Sequence, residues 1–185
     1  MNRDVWADTA QVYERVLAPL RGQAVWDVQT PGYIDRENRV PRFVPLGRTV
    51  YLALESGDYL RMDPHGDLGH LYLRIVDDVE FPEELRDDED DEFSVSSSCG
   101  HFLGDNAVAQ RIVRVRYALN SDSDPLLATV RCIEFEFHNN ERLFVDPSYH
   151  WGIRLQSRGA YEHWLREVRE RPETSGPVRE YLWTA

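Results

Sequence analysis

The chain has 185 residues, of which 42% are hydrophobic, and a formal net charge of −12. This length allows one ordinary hydrophobic core, so we expect a single domain over residues 1–185. No apolar stretch has the length of a membrane span, and the first residues lack the apolar block of a signal peptide. We therefore expect a cytoplasmic protein with no membrane partner.

Alternating patterns dominate the chain after a helical start. From residue 4 onwards, apolar residues recur at steps of three and four, which predicts an N-terminal helix that ends near Pro19. From about Ala24 the period changes to two. The predicted strands are 24–28, 48–55, 58–63, 68–76, 92–98, 107–119, 126–138, 142–146 and 150–156. The fold class that we predict is α+β, a mainly antiparallel meander sheet with an N-terminal and a C-terminal helix.

Two further local patterns fall outside these strands. Asp63-Pro64-His65-Gly66 predicts a type I turn with His65 at an exposed tip. The apolar stripe of the predicted C-terminal helix begins at Tyr161 and stops before Pro172. Residues 172–185 form a C-terminal tail, and we expect its adjacent Tyr181, Leu182 and Trp183 to dock on the body, because an exposed apolar patch is unfavourable.

The first long hairpin has a well-defined predicted register. Residues 120–124, NSDSD, predict a turn, and only one pairing keeps apolar residues on one face and opposite charges on the other. A slip of one residue would mix the two faces. The predicted pairs are Tyr117 with Ile133, Val115 with Phe135, Val113 with Phe137, Arg116 with Glu134, and Arg114 with Glu136.

The next hairpin turns at the Asn-Asn pair of residues 139–140. A two-residue loop would mix the faces of the sheet. A three-residue loop with an asparagine in the left-handed conformation instead places Leu143 opposite Phe135 and Arg142 opposite Glu136. We therefore predict the three-residue loop.

This register aligns charged side chains across three strands. Arg114, Glu136 and Arg142 form a predicted ladder on the solvent side of the meander. We interpret it as cross-strand ion pairs on a wet face, and the alternative interpretation is an anion site. The arginines should keep Glu134 and Glu136 ionised and their pKa values low, which argues against a general acid at either position.

Two constellations could carry catalysis or bind metal. Residues two apart on a strand point the same way, so Cys99 and His101 could touch and form a nucleophile with its base, although the glycine between them indicates a bend. Acidic surroundings disfavour the thiolate, so we do not favour this interpretation; Cys99 and Cys132 are expected to be reduced thiols. A metal site would require distant side chains to converge, and none shows a ligand motif. The candidate ligands are Asp63, His65, His70, His101, His138 and His150. We predict no catalytic residue, no cofactor and no metal.

The negative charge is concentrated in one segment. Residues 77–92 contain eleven acids and one arginine, a net charge of −10, and the other 22 acids and 20 arginines leave −2. We call residues 77–92 the acidic connection. Its simplest interpretation is a solvated loop, but such concentration is also suited to attracting a basic protein surface or a cation over about 8–10 Å, and it disfavours nucleic acid. The predicted partner-binding residues are Asp87, Asp88, Glu89, Asp90, Asp91, Glu92 and Phe93, with Phe81 as a further apolar anchor.

One stretch carries a family resemblance. Residues 133–155, IEFEFHNNERLFVDPSYHWGIRL, contain a strand, a polar turn, a Leu-Phe-x-Asp-Pro strand end and a returning strand. This hairpin resembles the closing hairpin of small α+β immunity proteins from bacterial toxin–immunity loci. The resemblance implies a cytoplasmic bacterial protein that neutralises a toxin and has no catalysis of its own. It supplies no active-site residue, because immunity proteins act through surface complementarity.

Three functional hypotheses result. The first is a non-enzymatic binding protein of immunity type that neutralises a cognate basic toxin through its acidic surface. The second is a small hydrolase that uses Cys99 and His101, or a histidine-based metal site. The third is an adaptor whose exposed sheet edge and acidic connection bind a host component. The sequence leaves open the partner's identity, the oligomeric state and whether the tail docks in cis.

Overall fold

A computed structural model of the protein describes residues 4–37, 39–66, 69–80, 92–104, 108–149, 152–171 and 176–185. Over these ranges the chain is mostly an antiparallel sheet of twelve strands with few helices. This confirms the antiparallel, strand-rich fold that the alternating pattern predicts. In the described part of the chain, no helix combines the length and the apolar character that crossing a membrane requires.

The helices are short and the strands are of ordinary length. Helix α1 spans Asp4–Leu17 and continues into a 3-10 turn at Ala18–Leu20, α2 spans Cys99–Phe102, and α3 spans Ala160–Glu170. The strands are β1 Ala24–Asp35, β2 Arg42–Pro45, β3 Val50–Leu54, β4 Tyr59–His65, β5 His70–Val76, β6 Glu92–Ser97, β7 Gln110–Leu119, β8 Thr129–Val130, β9 Cys132–Phe137, β10 Arg142–Tyr149, β11 Gly152–Gln156 and β12 Arg179–Thr184.

The strand order departs from a simple meander. The main path is β11-β10-β9-β7-β1-β3-β4-β5-β8, with β2 and β6 paired to β1 and β12 paired to β7. Strand β1 therefore joins two groups of strands that are distant in sequence. Strand β10 contacts β5 and β11 contacts β4, so the sheet curls and encloses apolar side chains from both groups.

Helix α1 packs its apolar face into this enclosed core. Tyr13, Leu17 and Leu20 are fully buried there. The Tyr13 hydroxyl donates a hydrogen bond of 2.6 Å to the carbonyl of Thr129, which ties α1 to β8. The spacing of these residues is the helical period that the sequence displays, and the packing explains it.

Helix α3 covers the opposite face of the sheet. Its side chains Tyr161, Trp164 and Val168 form a second apolar cluster, whose partners on the sheet are Ala118, Cys132 and Phe144. The residues of the predicted C-terminal stripe are therefore buried against β7, β9 and β10. Strand β12 follows α3, so a strand and not a helix is the last described element.

The predicted register of β7 and β9 is confirmed except at one end. The pairs Tyr117–Ile133, Val115–Phe135, Arg116–Glu134 and Arg114–Glu136 are all present. The prediction that Val113 faces Phe137 is wrong, because a bulge places Ile112 opposite Phe137. Val113 is left 37% exposed as the extra residue of the bulge.

The predicted three-residue turn after β9 is confirmed. Leu143 lies opposite Phe135 and Arg142 opposite Glu136. Asn140 has φ of 66°, the left-handed conformation that this loop requires.

Two local predictions need correction. Strand β4 continues through Pro64, which pairs with Leu71, to His65, so the predicted turn at Asp63–Gly66 is wrong. The predicted strand 126–138 is instead two strands. Thr129 and Val130 form β8, which pairs with β5, and β9 begins at Cys132. The exposed position of His65 is retained.

The described part of the C-terminal tail docks in cis as β12. Tyr181 pairs with Tyr117 across the strands, and their rings stack with centroids 5.4 Å apart. The Trp183 indole N–H donates to the Glu14 carboxylate at 3.0 Å. Leu182 points to the other face of the strand and is largely exposed, so only two of the three predicted contacts form.

Candidate partner-binding site

The acidic connection ends at the first residue of β6. Asp87, Asp88, Glu89, Asp90, Asp91 and Phe81 lie outside the described residues. Glu92 and Phe93 begin β6, which pairs with β1 from Ile34 to Gln29. Glu92 forms a salt bridge with Arg36, and the two side chains are 59% and 58% exposed. A pair this exposed contributes little to stability, so Glu92 can exchange Arg36 for another cation.

Strand β6 belongs to a three-stranded arm, which we define as Gln29–Asp35 of β1 together with β2 and β6. On one face of the arm, Tyr33 lies opposite Val44 on one side and Phe93 on the other. These three side chains are only partly buried, and neither of the two apolar clusters of the protein includes them. The arm thus presents an apolar row directly beside the end of the acidic connection.

The hydrogen-bond pattern shows which backbone groups of β6 face outwards. The N–H of Ser98 donates to the carbonyl of Val28 at 2.8 Å, so this pair is of the hydrogen-bonded type. Such pairs alternate along an antiparallel ladder, which directs the backbone of Ser94 and Ser96 towards β1. The N–H and carbonyl of Val95 and Ser97 therefore point away from β1. Among the described strands, only β1 pairs with β6.

A buried carboxylate fixes the end of this edge strand. Asp27 is 5% exposed and accepts hydrogen bonds from the Ser97 hydroxyl at 2.7 Å and the Val28 N–H at 2.8 Å. The Gln29 side-chain amide adds a third bond at 3.1 Å. A buried carboxylate with three donors is well satisfied, and it holds β6 in register on β1. Sequence patterns alone do not indicate Asp27, Val95 or Ser97 as site residues, because their roles depend on the pairing of β1 with β6.

Cys99 and His101 are not arranged as a nucleophile and base. They lie on the single turn of α2, where residues two apart point in nearly opposite directions. The Cys99 thiol lies 3.4 Å from the Ser97 hydroxyl, while the His101 ring packs edge-on against Phe102. The strand-like arrangement that the hydrolase hypothesis requires is therefore not present, and the bend indicated by Gly100 is a turn of helix.

This geometry predicts ordinary thiol chemistry. Cys99 is partly exposed and Cys132 fully buried, with burial raising the pKa of the Cys132 thiol. We expect a thiol reagent at neutral pH to modify one cysteine in the native protein, no faster than free cysteine, and both cysteines in denaturant. The measurement is the time course of modification with mass-spectrometric assignment. Faster reaction at Cys99 would revive the hydrolase hypothesis.

The candidate metal ligands do not converge in the described part of the chain, where no group of three His, Cys, Asp or Glu side chains forms a metal site. His150 is outside the described residues. His70 alternates with Tyr72 and Arg74, a pattern that predicts an outer face. It is instead 2% exposed, and its Nε2 lies 2.8 Å from the Asn120 side-chain oxygen. Burial lowers its pKa, and the charge of Arg131 adds to that effect. His70 is therefore a neutral core residue that holds the loop after β7.

The predicted charge ladder is present, but its side chains are only 15% to 35% exposed, so the face that carries it is only partly solvated. Arg116 donates two bonds to Glu134, at 2.6 and 3.0 Å, and Arg142 bridges Glu134 and Glu136 at 3.6 and 3.3 Å. Helix α3 covers these groups and adds Glu162, so that Glu134 is 1% exposed. Burial raises the pKa of Glu134 even though both arginines oppose the shift, which corrects the expectation that the arginines dominate.

The arginines of the ladder do not form an anion site. Arg114 contacts Glu136, and Arg116 and Arg142 both contact Glu134 and Glu162. Carboxylates of the chain itself thus occupy the guanidinium groups that an anion would need. The interpretation of the ladder as ion pairs is the one that fits this geometry.

Comparison with known proteins finds no match: no protein-family model, no curated protein and no solved structure is significantly similar to this chain. The candidate site is therefore characterised only by the geometry of the arm and the charge of the acidic connection.

Proposed function

We propose that this chain is a non-enzymatic, cytoplasmic binding protein of the immunity type, which neutralises a cognate cationic toxin. The observation that carries the proposal is the direct continuation of the acidic connection into β6 and its partly exposed apolar row. We also infer an α+β class in which a meander-like sheet is flanked by helices near the two ends of the chain.

The charge distribution supports a role in association. A net charge of −10 in one segment, against −2 elsewhere, produces a strongly directional field. Such a field raises the rate of encounter with a cationic surface and orients the partner before contact. Because rim charges contribute little to final affinity, the apolar row of Tyr33, Val44 and Phe93 would supply the short-range contacts.

The first test neutralises the acids at residues 87–92 as Asn or Gln. The partner for this test is chosen by two criteria: its reading frame lies adjacent, and its product must arrest growth when expressed alone and be neutralised by coexpression of the present chain. We expect the association rate of the six-fold variant to fall about tenfold or more at low salt, and its salt dependence to flatten. Stopped-flow or surface-based kinetics at several salt concentrations measures both quantities.

A matched control separates local charge from net charge. Six exposed acids elsewhere are neutralised in the same way: Glu55, Asp122, Glu141, Glu167, Glu170 and Glu180. This control has the same formal charge as the test variant, and we expect its association rate to remain near that of the unmodified protein. Equal slowing in both variants, or no slowing in either, contradicts the proposal.

A further inference from the structure

Within the described part of the chain, strand β6 is an edge strand without the usual protection against pairing. Natural edge strands are short, carry prolines or charges, are bulged, or are covered. From Phe93 to Ser97, β6 has neither proline nor charge, and it pairs with β1 without a shift of register. It alternates apolar and serine side chains, a pattern that suits a further strand.

The other described edges show the protection that β6 lacks. Strand β2 is four residues long, follows Pro41 and ends in Pro45. The N–H of Ile153 in β11 donates to the carbonyl of Gly47 at 2.6 Å. Strand β8 has two residues, and β12 carries two charged residues, Arg179 and Glu180, where β6 of the same length carries only Glu92. Strand β6 is therefore the least protected of these described edges.

We propose that β6 binds its partner by strand addition, pairing its outward backbone groups at Val95 and Ser97 with an extended, arginine- or lysine-rich segment of that partner. This inference rests on the proposed function, whose partner it describes in more detail. Main-chain hydrogen bonds supply the pairing, and the apolar row of the arm receives alternate side chains of the added strand.

The charge beside the edge selects the occupant. Two copies of this chain that paired through β6 would each carry a net charge of −10 in the segment that leads into that strand. Like charges oppose that contact, so the acidic connection protects the edge from self-association. The same negative field attracts a cationic segment, so the edge binds such a segment selectively.

The test uses the full chain and a synthetic peptide that alternates arginine and valine. The variant Val95→Pro removes the outward N–H of β6, and the proline is tolerated because that N–H makes no bond to β1. We expect peptide binding to weaken about tenfold or more, since the lost pairing involves at least one backbone bond and a steric block. In the unmodified protein, the peptide should slow hydrogen exchange at the Val95 and Ser97 amides.

Two substitutions serve as controls. Val95→Thr keeps the N–H and the β-branched shape, and should bind the peptide as the unmodified protein does. Ser94→Pro removes an N–H that faces β1, and should destabilise the protein where Val95→Pro does not, which checks the assigned alternation. A peptide methylated on alternate backbone nitrogens should not bind, because it cannot complete the ladder.

The outcomes distinguish this inference from the proposed function. Absence of peptide binding, or equal binding by Val95→Pro and Val95→Thr, overturns strand addition. If Val95→Pro still binds the cognate toxin with an unchanged affinity while neutralising residues 87–92 slows association, the proposed function stands and strand addition is wrong. Loss of toxin binding in Val95→Pro with retained stability supports both.

Discussion

Glu134→Ala is expected to lower the free energy of unfolding by about 3–5 kcal/mol, because it removes the buried carboxylate that two partly buried guanidinium groups share. The Glu134 carboxylate accepts both bonds that Arg116 makes to β9 and also attracts Arg142. After its removal, the two arginines keep only more exposed carboxylates, namely Glu162 for both and Glu136 for Arg142. Urea denaturation of the variant and the unmodified protein measures the difference.

Two related variants separate charge from hydrogen bonding. Glu134→Gln keeps an oxygen that can accept from Arg116, and it removes a charge that burial penalises, as the raised pKa of Glu134 indicates. We therefore expect it to lose less stability than Glu134→Ala. Glu162→Ala removes a carboxylate that contacts the same two arginines but is 47% exposed, and should cost about 0.5–1 kcal/mol. Similar losses at positions 134 and 162 would show that burial of Glu134 does not matter.

The sequence predicts local pairing well where side-chain chemistry repeats. Alternating arginine and valine on β7 match alternating glutamate and phenylalanine on β9, and one register satisfies both faces. The left-handed Asn140 follows from the same matching, because only a three-residue loop preserves it. The bulge at Val113 escapes this reasoning, since both Ile112 and Val113 are apolar and either can face Phe137.

Contacts between distant segments explain the other differences. The alternation of His70 with Tyr72 and Arg74 indicates an outer face, yet Asn120 closes over His70 after a separation of fifty positions. The side chains of the charge ladder on β7, β9 and β10 are polar, yet α3 covers this face of the sheet. The Tyr161 ring lies against Arg116, and the distance from the ring centroid to the guanidinium carbon is 4.3 Å. In both cases, the sequence of the covered strand does not indicate that the loop at Asn120 or helix α3 covers it.

Some features of the candidate site can also be predicted from the sequence, whereas others depend on the sheet topology. The sequence alone provides the charge of the acidic connection, its last residue Glu92 and the adjacent Phe93. The outward direction of the Val95 and Ser97 backbone cannot, because it depends on the pairing of β6 with β1, which lies more than sixty residues earlier. Sequence therefore indicates what kind of partner to expect, and the sheet topology indicates how that partner would be held.

Gly152→Ala is expected to cost about 2–5 kcal/mol of unfolding free energy, through a collision and an unfavourable backbone conformation acting together. Gly152 has φ of 120°, and a Cβ at this position would lie 2.0 Å from the carbonyl oxygen of Gly47. The clash is with backbone, so no side-chain rotation relieves it. The neighbouring bond from the Ile153 N–H to Gly47 would have to break or shift, which would uncover the edge of β11.

A second glycine isolates the conformational part of this effect. Gly57 has φ of 95°, but a Cβ there meets nothing within 4 Å. Gly57→Ala should therefore cost only the left-handed strain, about 1–2 kcal/mol, and Gly100→Ala, with neither strain nor contact, should be close to neutral. Urea denaturation of the three variants should rank Gly152 above Gly57 and Gly57 above Gly100. If Gly152→Ala lowers the free energy of unfolding no more than Gly57→Ala does, the close contact between β11 and Gly47 does not contribute to stability.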